Sequence, residues 1–217
     1  MKKPRRALLK VAFAGGVIQA SEPLLAMGTR PLPPGMRKIK GNVYINGQKA
    51  RVDQAVMVGD KVTTGPNSEA IYVVAANAFQ MRENAEVHHL SDGVVTVLRV
   101  IKGGVLSVFG AGQKRIETPT ATLGIRGTGC YIEAEPESVY FCLCYGKADI
   151  VPVADESQRI QIETTNHDSP FYIGNAKAGT LIKPAPVKNH SNFELNMLEY
   201  ESGRAPHFPI AGSGGGY

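Results

Sequence analysis

The sequence predicts an all-β fold, a β-sandwich or β-roll of short strands with one C-terminal α-helix. Three observations predict it. Short β-branched or alternating segments recur between residues 38 and 163, divided by Gly, Pro, Asn and Asp turn signals. No stretch in that region holds a helical period. Near the C-terminus, Ser191-Asn192-Phe193-Glu194 has the form of a helix capping box.

The elements follow in chain order. Val43-Tyr44-Ile45 runs into Asn46-Gly47, a hairpin signal. Ala70 to Val74 reads as a strand after Pro66-Asn67. Val94 to Leu98 follows the turn pair Asp92-Gly93, and Val105 to Phe109 follows Gly103-Gly104, read as a turn. Tyr131 to Ala134 and Val139 to Tyr145 flank Glu135-Pro136-Glu137-Ser138, a second hairpin. Ala148 to Val153 and Arg159 to Glu163 continue the series. In the C-terminal helix Ser191 is the N-cap. Phe193, Leu195 to Leu198 and Tyr200 supply its apolar side, and Gly203 and Pro206 stop it.

Charge excludes one function class. Five of the 24 Lys and Arg fall within the first ten residues, and no acid precedes Glu22. The remaining 19 cations balance 19 Asp and Glu, so the basic character belongs to the leader and no nucleic-acid partner is expected. The leader has a charged start followed by a mostly apolar run, Ala7 to Ala20, too short for an ordinary transmembrane helix. Arg5-Arg6-Ala7-Leu8-Leu9-Lys10 is similar to the twin-arginine export motif. A general secretory signal that contains two arginines is the alternative. The expected organisation is an export signal at 1–26, a Pro/Gly linker at 27–37 and a β domain at 38–153. A C-terminal extension with the capped helix follows at 154–208, then a disordered tail at 209–217. The expected location is the periplasm or cell envelope, with membrane anchoring only where the leader stays uncleaved.

Four stretches of the β domain carry a resemblance. They are Val58-Gly59-Asp60-Lys61-Val62-Thr63-Thr64-Gly65 with Ser68, then Ile101-Lys102-Gly103-Gly104-Val105-Leu106, then Thr118-Pro119-Thr120-Ala121-Thr122-Leu123-Gly124-Ile125-Arg126-Gly127-Thr128-Gly129, and the strand pair closing at Gly146. In order and spacing these resemble the FecR-type periplasmic domain. The resemblance implies an all-β envelope module that receives or passes a signal through a protein partner. Members that regulate ferric-citrate uptake also carry a cytoplasmic anti-sigma segment and a transmembrane helix. Neither is expected before residue 27, so the resemblance bears on fold and compartment more than on sigma-factor control. Gly124, Gly127 and Gly129 are expected at a sharp bend between strands, tied together by a buried Arg126.

Strand alternation sorts the three cysteines. Phe141 and Leu143 share one face and read as core. Cys142 and Cys144 share the other with Tyr140, facing solvent. Cys130 shares an apolar side with Ile132 and Ala134. Residues two apart on a strand are about 6.5–7 Å apart, so a Cys142–Cys144 disulfide would be strained. Two histidines lie in polar, turn-like settings beyond this region, His167 and His190. Cys142, Cys144, His167 and His190 together form a Cys2His2 set suited to one tetrahedral zinc or iron ion, with Asp168 and Asn189 placed to orient the ligands. An iron–sulfur cluster would lack its usual ligand loops. Solvated loop histidines, or thiols paired with Cys130 or another chain, are the alternatives. His88-His89 and His207 read as surface residues. No nucleophile–base pair, phosphate loop or paired catalytic carboxylates stand out, so the reading is a non-enzymatic binding or sensory module. A periplasmic redox or metal-carrying protein using Cys142 and Cys144, and an envelope scaffold, are the other two readings.

Overall fold

A computed structural model of the chain describes residues 33–175 and 179–209. The expected export signal and residues 210–217 of the expected tail lie outside the described residues. In chain order the first strands are β1 (Gly35–Lys40), β2 (Val43–Ile45), β3 (Gln48–Lys49), β4 (Lys61–Thr64), β5 (Glu69–Val74), β6 (Asn77–Met81) and β7 (Glu86–Ser91). Then come β8 (Thr96–Val108), β9 (Gln113–Glu117), β10 (Ala121–Ala134), β11 (Ser138–Pro152), β12 (Ile160–Thr164), β13 (Ser169–Gly174) and β14 (Ile182–Pro184). One helix, α1 (Asn192–Glu201), follows. The expected linker therefore ends early, because Gly35 to Arg37 already belong to β1.

All fourteen strands join one hydrogen-bonded network, antiparallel except for β8 with β9. The network folds back on itself because three long strands serve two layers. The first part of β8 pairs with β7 and β9, and its last part with β6 and β10. β10 pairs with β9 through Thr122 to Arg126 and with β8 through Gly129 to Ala134. β11 follows β10 along its length, then meets β13 through Ser138 to Leu143 and β12 through Gly146 to Ile150.

These strands are 13, 14 and 15 residues long, which corrects the expectation of short strands throughout. Gly103-Gly104 is a bend inside β8 and not a turn. Gly103 sits at φ +80°, where a Cβ would meet Ala85 Cα at 2.5 Å. Gly124, Gly127 and Gly129 lie inside β10, whose register against β11 breaks between Arg126 and Cys130. A glycine in a strand can absorb a bulge that reverses no chain direction. Arg126 is exposed on that strand and does not tie the bend together, a second correction.

The main core lies between the layers. It includes Tyr72, Phe79, Val105, Cys130, Ile132, Phe141 and Leu143 from one layer and Val62, Val87, Val100, Ile116, Leu123 and Ile150 from the other. His89 also points inward. It is 2% exposed, lies edge-on to Phe79 and hydrogen-bonds the Tyr72 hydroxyl at 3.0 Å, so its surface assignment is corrected.

A second apolar cluster covers the outer face of β5, β6, β8, β10 and β11. Ile71, Val73, Leu106, Val108, Tyr140, Cys142 and Cys144 meet Leu195, Leu198 and Phe208 there. The capping box at Ser191 and Glu194 is formed as expected. Phe193 and Tyr200, expected on the buried side of the helix, are instead 78% and 70% exposed. The end of α1 comes back to β1, where Arg37 Nε and Glu201 Oε2 pair at 3.3 Å. No helix among the described residues is long and apolar enough to cross a membrane.

Candidate metal centre

The centre is assembled from three segments. Alternation along β11 puts Cys142 and Cys144 on the outer face, opposite Phe141 and Leu143. Both thiols are fully buried, which corrects their expected solvent exposure. The C-terminal extension covers them. His167 sits in the turn between β12 and β13, with its backbone N–H donating to the Cys144 carbonyl at 3.1 Å. His190 stands just before the N-cap of α1.

The four ligand atoms lie within 4.8 Å of one another. Cys142 Sγ is 3.7 Å from His167 Nδ1, and His167 Nδ1 is 3.0 Å from His190 Nε2. Metal–nitrogen bonds of about 2.0–2.1 Å and metal–sulfur bonds of about 2.3 Å give tetrahedral edges of about 3.3–3.8 Å. The observed separations bracket that size.

Both imidazoles are held by their outer nitrogens. His167 Nε2 lies 2.7 Å from Asn192 Oδ1, and His190 Nδ1 lies 2.7 Å from the Lys188 carbonyl oxygen. Each oxygen can only accept, so each outer nitrogen carries the proton. In the neutral rings the inner nitrogens, His167 Nδ1 and His190 Nε2, are the lone-pair donors, and they lie beside the thiols. Such outer acceptors are what metal-binding histidines use to fix their tautomer. The rings are also packed: His190 stacks on Tyr131 with centroids 4.8 Å apart, and His167 on Phe208 at 5.3 Å.

The loop that delivers His190 is braced independently. Tyr140 donates to the Pro186 carbonyl at 3.0 Å, and the Lys188 ammonium lies 4.7 Å from the Tyr140 ring centre. Arg82 donates to the Asn189 carbonyl at 2.7 Å, and Glu133 receives both Lys188 and the Asn189 amide. His167 and Asn189 both hold positive φ, +54° and +58°, so both delivering loops turn through the left-handed region.

The electrostatics match an anionic thiolate. The neighbouring Cys144 thiol, with His167 and His190, holds Cys142 down at about 3 against the opposing effect of burial. Burial first, and then Cys142, pushes Cys144 well above the ordinary thiol range. Burial would lower His167, but its hydrogen bonds to Cys142 and Asn192 raise it. These contacts favour the charged forms of Cys142 and His167 side by side. A divalent ion, if bound, would displace protons from the pocket and take all four groups as ligands.

Cys130 lies on the opposite face of the sheet, in the core between the layers, and is no partner for either thiol. The structure brings together the four residues that the sequence singles out, within 4.8 Å, and holds their rings through other groups than those expected. Asn189 braces the loop through its backbone and Glu133, and Asp168 is exposed. Asn192 and the Lys188 carbonyl do the orienting. Asn192 is the residue after an N-cap, and nothing in its local sequence marks it. His207 is exposed and stacks on Tyr145 with centroids 3.7 Å apart.

No family model matches the chain, and no curated protein matches it. Two crystal structures of a candidate anti-sigma factor from Parabacteroides distasonis ATCC 8503, at 1.65 and 2.50 Å resolution, are similar to it in part. Each gives a TM-score of 0.48 at 9% sequence identity, covering 57% of this chain and 59% of the other. This chain thus spans about three fifths of the length of the solved structures it matches.

Proposed function

We propose that this protein is a metal-loaded, non-enzymatic binding module of the bacterial cell envelope, of FecR-domain type, holding one zinc or iron ion at Cys142, Cys144, His167 and His190. The observation that carries the metal reading is the convergence of two ring nitrogens 3.0 Å apart on two buried thiols, all four ligand atoms within 4.8 Å, with both outer ring nitrogens held by oxygen acceptors. Soft thiolates with imidazoles favour zinc or iron over magnesium or calcium, which take oxygen ligands. Four ligand atoms within 4.8 Å suit a single ion better than a cluster of two irons with bridging sulfides. Four protein ligands close the coordination shell, as in structural sites, where catalytic sites keep a position open. The export leader and the four motif stretches support the envelope setting, and a protein partner there is part of the reading.

Elemental analysis tests it directly. Protein purified from its native compartment should carry about one equivalent of zinc or iron per chain. The Cys142→Ser, Cys144→Ser double variant should carry almost none. Equal, near-zero metal in both would remove the site.

A further inference from the structure

The four ligands belong to different parts of the fold. Cys142 and Cys144 are on a central strand, laddered on both sides by β10 and β13. His167 is held to that strand through the Cys144 carbonyl. His190 belongs to the last segment of the described chain, which leaves β14 at Pro184 and lies over the sheet without joining it by a strand ladder. That segment touches the centre at three points. His190 supplies a ligand atom, and Asn192, the first residue of α1, accepts from His167. Phe208 stacks on His167 and is pinned to α1 by two hydrogen bonds with the Asn196 side chain, at 2.9 and 3.0 Å.

We propose that the ion is a removable clasp for residues 185–209: bound, it fastens this segment across the outer face of β5, β6, β8, β10 and β11, and its loss frees the segment and uncovers that face. The inference rests on the metal reading above and adds a consequence to it. The remaining fastenings are the brace at residues 186–189, the docking of α1, and buried Glu199, which accepts from Tyr145 of β11 and pairs with Arg204. α1 has ten residues, below the length at which an isolated helix is stable in water, so it persists only while docked. Its fully buried apolar side chains are Leu195 and Leu198. Its ion pairs with the sheet, Arg82 with Glu194 at 2.8 Å and Arg37 with Glu201 at 3.3 Å, are partly solvated and contribute little.

The face beneath is apolar, with Ile71, Val73, Ala78, Leu106 and Val108 buried under the segment. Opening the segment withdraws His190 and breaks the site. Linkage therefore applies: metal at about 100 times its dissociation constant makes opening about 100-fold rarer.

Hydrogen exchange of the purified full chain reads this out, with metal content measured in every sample. The comparison is native protein, protein stripped with EDTA, and stripped protein given back Zn²⁺. The expected result is amide exchange at 192–201 about 100-fold faster after stripping, reversed by Zn²⁺, with β6, β8 and β10 unchanged. A His190→Ala variant should show the fast exchange even with Zn²⁺ present. Metal removed with no change at 192–201 would overturn the clasp and leave the metal site standing. Equal acceleration across the whole sheet would also overturn it, since the ion would then be a general stabiliser. No metal in the native sample would overturn the metal reading, and the clasp with it.

Discussion

His167 Nδ1 and His190 Nε2 face each other across 3.0 Å, each on a ring whose other nitrogen is committed to an oxygen acceptor. With a proton on one inner nitrogen the contact is a hydrogen bond; with a metal ion in the pocket both inner nitrogens would be ligands. In either state the rings are held by uncharged acceptors, Asn192 and the Lys188 carbonyl.

Asn192 is the more accessible of the two to substitution. Asn192→Ala leaves all four ligands in place but frees His167 to change tautomer. Metal affinity should fall about 10–100-fold, as for other outer acceptors of ligand histidines. Competition with a chromophoric chelator measures it. An unchanged affinity would mean that Asn192 only caps the local backbone.

His89 gives the fold a pH dependence separate from the metal centre. Burial lowers it from 6.5 to about 4, partly opposed by Asp60 and reinforced by His88. Its folded value lies below its unfolded value, so between those limits the unfolded chain binds more protons. The stability it contributes is complete above about pH 6.5 and is lost as pH falls toward 4, a change on the order of 3 kcal/mol. His89→Gln keeps a partner for Tyr72 and cannot titrate. Urea unfolding at pH 7.5 and 4.5 should show a smaller acid loss in the variant than in the parent. Equal losses would place the acid sensitivity elsewhere.

Gly103→Ala tests the bend in β8. The new methyl group would need to share space with Ala85 Cα at 2.5 Å, on a backbone at φ +80°. Backbone strain and overpacking together should cost about 3 kcal/mol. A lowered urea midpoint with unchanged metal content is the expected result. Gly47, with φ +80° and open space around it, is the comparison: Gly47→Ala carries the backbone strain without the clash and should cost less.

The leader motif predicts a route. Arg5→Lys with Arg6→Lys should leave the protein in the cytoplasm, followed by cell fractionation and immunoblotting. Periplasmic recovery at normal yield would exclude the twin-arginine route and leave a general secretory signal.

The shared face of Cys142 and Cys144 was legible in the sequence because strand alternation is a local rule, and it sorted Cys130 from them without knowledge of the fold. The capping box at Ser191 was legible for the same reason. The long strands were not. Gly103, Gly127 and Gly146 look like chain reversals, yet each occupies a positive φ inside a strand that continues. A glycine marks the strain, and only the partner strand decides whether the chain turns back or bends. β13 was hidden by Pro170, tolerated there although it pairs with Cys142. His89 was hidden because its partner, Tyr72, lies on another strand 17 residues away. The orienting groups were hidden because a backbone carbonyl has no sequence signature at all.

The outer cluster has a consequence for how the protein is made. Ile71 and Val73 are covered by Leu195 and Leu198, residues more than a hundred positions later in the chain. At elongation rates of about 5–20 residues per second, the strand face is synthesised roughly 6–25 seconds before its cover exists. During that interval the ribosome displays a patch of branched apolar side chains with no intramolecular partner. A holdase that recognises such surfaces has its best opportunity then, before the last turn of α1 brings Glu201 back to Arg37 and closes the window.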